Sequence, residues 1–202
     1  MKRHTLLLML VVTLCAQNAT SADKIVYPDH IGLYTQADGG GKAQISTSVP
    51  HEQVTIYLVL IKPSCPFGVS HWECSLHFMR HNLTAPLAVL AAGTDLETAD
   101  PWDFSVEIGT QNPLTAAEAV PLMTISGYVD DPNGDPTYFY IDGSSVDSYG
   151  LSVPCYAAGN DAAEWHSLTQ SSRAKWLPVF AINGTVTANE ATTWGALKNL
   201  FR

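Results

Sequence analysis

Basic residues are scarce in this chain, with 10 Lys and Arg against 19 Asp and Glu in 202 residues. A surface so short of cations repels phosphate backbones, which argues against nucleic acid as a partner. Long apolar runs are also missing, apart from one at the start, so no later stretch could anchor the chain across a bilayer, which takes about 20 apolar residues. The short motifs that mark hydrolases are absent too: neither Gly-x-Ser-x-Gly nor His-Glu-x-x-His occurs. Before the C-terminus no stretch of convincing length repeats with the helical period, and a helical architecture is thereby disfavoured.

The one apolar run, Leu6 to Leu14, follows Lys2 and Arg3 and precedes small and polar residues up to Ser21 and Ala22. That order of charge, apolar core and cleavage region predicts a secretion signal over residues 1–22. Leu14 stands before Cys15 where a lipoprotein site needs a small residue, so cleavage after Ser21 or Ala22 is expected instead. Removing the leader takes away two bases and no acid, leaving 8 bases against 19 acids and a net charge of −11. The expected location is outside the cytoplasm: extracellular, at the cell surface or periplasmic.

Three cysteines remain, Cys65, Cys74 and Cys155, in a compartment that permits oxidation. At most one internal disulfide can form and one thiol is left over. Cys65 with Cys74 would close a short loop, and Cys74 with Cys155 would tie distant strands; a reduced, buried Cys74 is the third alternative, since a free thiol packs as a small apolar group.

What the chain does have is strand period. Candidate strands are Ile31 to Tyr34, Ala43 to Val49, Val54 to Ile61, Val69 to Phe78, Leu87 to Ala91, Phe104 to Gly109, Leu122 to Val129, Thr137 to Ile141, Leu151 to Ala157 and Val179 to Ile182. Turn residues separate them, at 38–41, 63–68, 130–135 and 142–145. Many short strands at such spacing predict an all-β fold, a two-sheet antiparallel sandwich over residues 23–184. Thr110 to Ala119 is Ala-rich and could hold one helical turn. In Val69 to Phe78 the side chains of Trp72, Cys74, Leu76 and Phe78 fall on one face, expected to be core, and those of His71, Glu73, Ser75 and His77 on the other, expected to face outward. Val54 to Ile61 is apolar on both faces, as a central strand covered on both sides would be.

Residues 185–193 are small, polar and patternless, a tether rather than core. Beyond them Thr193 is an N-cap candidate for a short helix over residues 194–202, with Trp194, Leu197, Leu200 and Phe201 on one face. This amphipathic tail is expected to dock to its own domain or to a sorting or assembly partner.

Several stretches carry a resemblance: Ile31-Gly-Leu-Tyr34, Tyr57-Leu-Val-Leu60, Gly68-Val-Ser-His-Trp-Glu-Cys74, Pro178-Val-Phe-Ala-Ile-Asn183 and Thr193-Trp-Gly-Ala-Leu-Lys-Asn-Leu-Phe-Arg202. Together they resemble a group of uncharacterised secreted bacterial proteins, in which Gly tends to stand at the position of His71. No activity is established for that group, so no functional residue carries over. More loosely, the long apolar strand, loop and Gly-Val-Ser-x-Trp-Glu strand are similar to cohesin and carbohydrate-binding sandwich domains, a likeness that implies a binding module.

Asp130, Asp131, Asn133 and Asp135 gather oxygen ligands in one turn, as calcium requires, although Asn133-Gly134 is equally ordinary hairpin chemistry. His71, Glu73, His77 and His81 form a second, weaker metal candidate at strand spacing. Trp102, Trp165, Trp176, Tyr138 and Tyr140 are the aromatics on which a sugar ring could stack, with core packing as the plain alternative. Asp103, Glu107, Asp130 and Glu164 are the carboxylates a glycosidase pair would draw on. The expected function is a non-enzymatic binding or surface-interaction module for a glycan or protein, without a resident cofactor unless calcium. A secreted hydrolase and a self-associating extracellular protein held by edge strands are the rivals.

Overall fold

The computed structural model describes residues 28–78, 82–96 and 98–186. The predicted leader, nearly all of the tether, the terminal segment 194–202 and His81 lie outside the described residues. Among the described residues thirteen strands follow in chain order: β1 His30–Tyr34, β2 Gln44–Ile45, β3 Glu52–Ile61, β4 Val69–Phe78, β5 Leu83–Leu90, β6 Thr94–Asp95, β7 Asp103–Glu107, β8 Ala119–Val129, β9 Thr137–Asp142, β10 Cys155–Ala158, β11 Trp165–Ser167, β12 Thr169–Gln170 and β13 Phe180–Ile182. Among the described residues no helix is long and apolar enough to cross a membrane.

The strands form two sheets. The first runs β12-β1-β3-β8-β5, and the second β11-β10-β4-β9-β13-β2, with β7 beside β4 and β6 beside β7. Pairing is antiparallel except for β1 with β12 and β13 with β2. The long strands β3, β4 and β8 are where apolar and polar side chains alternate most regularly, because each must bury one face of the pleat. Facing rows make the core: Leu33, Leu58, Met123 and Leu90 lie side by side across four strands of the first sheet. Opposite them, the second sheet contributes Trp72, Cys74 and Leu76, all at most 2% exposed.

The all-β sandwich, the bounds of β4 and the inward direction of Trp72 agree with the sequence reading. β3 is central, between β1 and β8, but it is covered on its outer face only toward its end, at Val59 and Ile61. The helical turn expected within Thr110 to Ala119 does not form. Leu114 instead bridges to Val69, exchanging both backbone hydrogen bonds at 2.9 Å. Gly68 permits this approach: its φ is +87° and a Cβ there would meet the Leu114 carbonyl oxygen.

Candidate functional site

The outer face of the second sheet collects polar groups that the alternation of β4 sends away from the core. β9 and β10 both lie on the side of β4 opposite β7; β9 stops at Asp142, opposite Ser75, and β10 begins at Cys155, opposite Glu73. Between them the chain leaves the sheet as the segment 143–154, which folds back over that face. Cross-strand pairing sets Ser105, Glu73, Cys155 and Ser167 in one row and Glu107, His71, Ala157 and Trp165 in the next.

Glu73 is the centre of this cluster and is only 1% exposed. Its carboxylate accepts from the Ser148 hydroxyl at 2.6 Å, the Ser148 amide at 3.0 Å and the Ser105 hydroxyl at 3.0 Å, while the Cys155 thiol stands 3.7 Å away. His71 Nε2 lies 3.5 Å from the same carboxylate. Burial alone would raise the Glu73 pKa, but the hydrogen bonds from His71, Ser148 and Ser105 outweigh it and bring the group down to about 2. A second carboxylate repeats the motif: Asp103, 6% exposed, accepts the Ser145 amide at 3.0 Å. Two buried acids of the sheet therefore hold down the 143–154 segment by its amides and hydroxyls. The face expected to be solvent-exposed is in fact roofed along β4, and only His77 at its end stays open.

Neither this cluster nor its neighbour is arranged for nucleophilic catalysis. The Ser105 hydroxyl donates to Glu73 and sits 2.9 Å from His71 Nε2, the same nitrogen that faces Glu73. A serine nucleophile needs its proton directed at the histidine and the acid on the other ring nitrogen. At the end of the sandwich Ser64 Oγ stands 3.5 Å from His166 Nδ1, and His166 Nε2 lies 3.3 Å from Glu164 without a hydrogen bond. The contact is at the outer limit of hydrogen bonding, and the amides of Ser64 and Cys65 are already taken by Asp29 and the Tyr156 hydroxyl, leaving neither for an oxyanion. Of the four carboxylates offered for a glycosidase pair three are engaged separately, Asp103 under the roof, Asp130 with Thr84 and His51, and Glu164 beside His166, while Glu107 is exposed at the end of β7.

The four residues named for calcium lie in the turn between β8 and β9, strands of different sheets. Asp131 spends one oxygen on the Asn133 amide at 2.8 Å, Asp130 accepts from the Thr84 hydroxyl at 2.9 Å, and Asn82 ties the turn from below through the Asp131 backbone. One oxygen each of Asp130 and Asp131 thus serves the turn that carries the chain from one sheet to the other, and among the described residues no group of three or more His, Cys, Asp or Glu is placed to hold a metal ion. Cys65, Cys74 and Cys155 are free and buried. Cys74 points into the core while Cys155, paired across from Glu73, points to the roofed face, so the sheet itself separates the two thiols.

The five aromatics do not form one platform. Trp102 is core, 6% exposed and edge-on to Phe78 and Phe104. Trp165 packs edge-on against His71, with ring centroids 5.1 Å apart. Tyr138 and Tyr140 are half-buried on β9, and Tyr138 lies close over Gly184. Trp176 alone is open, at 76% exposure.

The outer face of the first sheet is different in kind. Its cross-strand rows read Tyr34, Tyr57, Thr124 and Val89; then Thr55, Ser126 and Leu87; then Gln53, Tyr128 and Thr84. None of these side chains is charged. Leu87, Val89 and Tyr128 are well exposed there. In a chain carrying 19 acids, these ten adjacent positions without a charge form a patch that nothing covers among the described residues. Strand alternation marked these positions as outward, but their shared neutrality appears only when β1, β3, β8 and β5 are set side by side.

No family model and no curated protein matches the chain. Among solved structures it is similar to the second type II cohesin module of the cellulosomal adaptor ScaA scaffoldin of Acetivibrio cellulolyticus, with a TM-score of 0.48 and 9% identity over 80% of this chain and 99% of that one. It is also similar to a type II cohesin domain from the cellulosome of the same organism, with a TM-score of 0.44 and 11% identity over 78% of this chain and 96% of that one. At such identities no residue's role carries over from either.

Proposed function

We propose that this chain is a non-enzymatic protein-binding module that uses the open outer face of its five-stranded sheet. The observation that carries this reading is the contrast between the two outer faces: one is roofed by the 143–154 segment pinned to Glu73 and Asp103, the other presents three uncharged rows. Tyrosines set among Thr, Ser, Val and Leu supply apolar area with hydrogen-bonding tips, the composition of a contact-surface centre, from which charged residues are depleted. A rigid sheet holds them in place before a partner arrives, which lowers the ordering cost of association. Carbohydrate binding is the weaker reading, because Trp176 is the sole strongly exposed aromatic among those considered for stacking.

A photo-crosslinking residue placed at Tyr57, at Tyr128 or, as control, at Tyr138 tests the assignment in the cells that make the protein. The expected result is one adduct of the same mass from Tyr57 and Tyr128, none from Tyr138, and its loss on adding Thr55→Lys to the face. Adducts from Tyr138 alone, or glycan-array binding abolished by Trp176→Ala with no adduct from the face, would overturn it.

A further inference from the structure

β5 ends the first sheet, and among the described residues nothing pairs with its outer edge. The Ala91 amide donates to the Leu122 carbonyl of β8 at 2.9 Å. By the alternation of an antiparallel ladder, Val89 and Leu87 also spend their backbone groups on β8, which leaves the N–H and C=O of Ala88 and Leu90 directed outward. Pro86, at the same parity, has no N–H to offer, and Ala85 beside it has φ +46° at the bulge between Thr84 and Leu87. The bulge and proline blunt one half of the edge, as natural sheets do to avoid chance pairing. The other half, Leu87 to Leu90, is straight and unblunted.

Alongside this half runs a groove between the two sheets, with a volume of about 550 Å³. Its near wall is Ala88 and Leu90; its far wall is Trp102, Phe104, Pro101 and Asp95. Open backbone groups and an apolar slot thus lie along the same four residues. A strand laid against β5 would satisfy Ala88 and Leu90 and send alternate side chains into the slot over Trp102 and Phe104, the two features that strand addition requires.

We infer that this edge captures an extended peptide segment of a partner protein, with small apolar residues at alternate positions and basic residues flanking them. The basic flanks follow from charge: Asp95 lines the groove, Asp100 is the sequence neighbour of the lining residue Pro101, and the chain carries a net −9. The same charge argues against a second copy of this chain, which would bring two sets of those acids together across the edge. This inference goes beyond the face assignment and rests on different atoms, the outward backbone of β5 rather than the outer-face side chains of β1, β3, β8 and β5.

The probe is a synthetic seven-residue peptide of alternating valine and threonine with a lysine at each end, capped at both termini, compared with the same peptide N-methylated at alternate residues. On the full chain the unmethylated peptide should bind at least tenfold more tightly, slow hydrogen exchange at the amides of Ala88 and Leu90, and change Trp102 fluorescence. Ala88→Pro should abolish that preference, since the amide it removes is not used by β8; Thr55→Lys should leave it intact, which separates this site from the open face. Should Ala88→Pro unfold, the methylated peptide still delivers the same test on the unaltered chain. Equal binding of the two peptides, or protection away from β5, would overturn the inference. So would sedimentation showing a dimer in which the Ala88 and Leu90 amides are already protected, because the edge would then belong to a second copy.

Discussion

Replacing Glu73 by Gln should loosen the roof over the second sheet and remove a pH dependence in the same step. The carboxylate is 1% exposed and accepts three hydrogen bonds from serines of β7 and of the 143–154 segment. Gln keeps one acceptor but presents an amide N–H₂ group to a Ser148 amide that also donates, leaving a buried donor without a partner. Lowering a carboxyl from its ordinary 4.5 to about 2 corresponds to about 3 kcal/mol of preference for the charged form in the folded state. Complete burial works against the hydrogen bonds, so about 3 kcal/mol is an upper value for what the variant loses at neutral pH. For a domain of this size that is a fall of roughly 6 to 12 °C in Tm. The sign of the pH dependence follows from the depressed pKa: the contribution is complete above about pH 5, where Glu73 is ionised folded or unfolded, and is lost as pH falls through about 2. Urea titrations of the native chain and of Glu73→Gln at pH 7, 4.5 and 2.5 measure both quantities. The difference should be largest at pH 7 and shrink with acid. A variant within about 0.5 kcal/mol of the native chain at pH 7, or a gap that persists unchanged at pH 2.5, would refute the reasoning.

Two further outcomes follow from the core. Trp72→Ala should cost about 3 to 5 kcal/mol in a denaturant titration, the range for a fully buried aromatic, because the ring is 0% exposed and packs on Phe104. Cys74 and Cys155 should resist thiol reagents in the folded chain at pH 8: burial, then the Glu73 charge, push the Cys155 thiol up to about 12, leaving a thiolate fraction on the order of 10⁻⁴, and burial also raises Cys74. Peptide mapping after alkylation across a urea series should find either residue modified only where the fold is lost; rapid labelling of Cys155 in native conditions would contradict the roofed geometry.

The strands were legible where a pleat buries one face over many residues. β4 could be bounded to the residue, and β3, β8 and β9 to within a few, because apolar side chains recur at every second position. The strands β6, β11 and β12, two or three residues each, carry no period at all and were missed. The stretch Leu151 to Ala157 looked like a strand throughout, yet pairing starts only at Cys155. Pro154 before it offers no amide to a ladder, and the residues from Gly150 onward belong to the roof.

The candidate site was illegible for a different reason. Alternation says which side of a sheet a residue takes; it does not say whether something covers that side. His71, Glu73 and Ser75 read as an outward face, Ser145 read as part of a turn, and Ser148 carried no signal of its own. Each reading was locally sound, but the two stretches answer one another: acids on the sheet that need donors, and serines in the loop that carry them. A buried carboxylate without such donors would have to be neutral or absent. The coverage of the second sheet is therefore a consequence of its acids, and it leaves the neutral first sheet as the face on which this acidic chain can meet a partner without first desolvating charge. That asymmetry, rather than any single residue, is what the proposed binding role rests on, and Glu73→Gln is a clean perturbation of it because it unpins the roof while leaving every side chain of the open face in place.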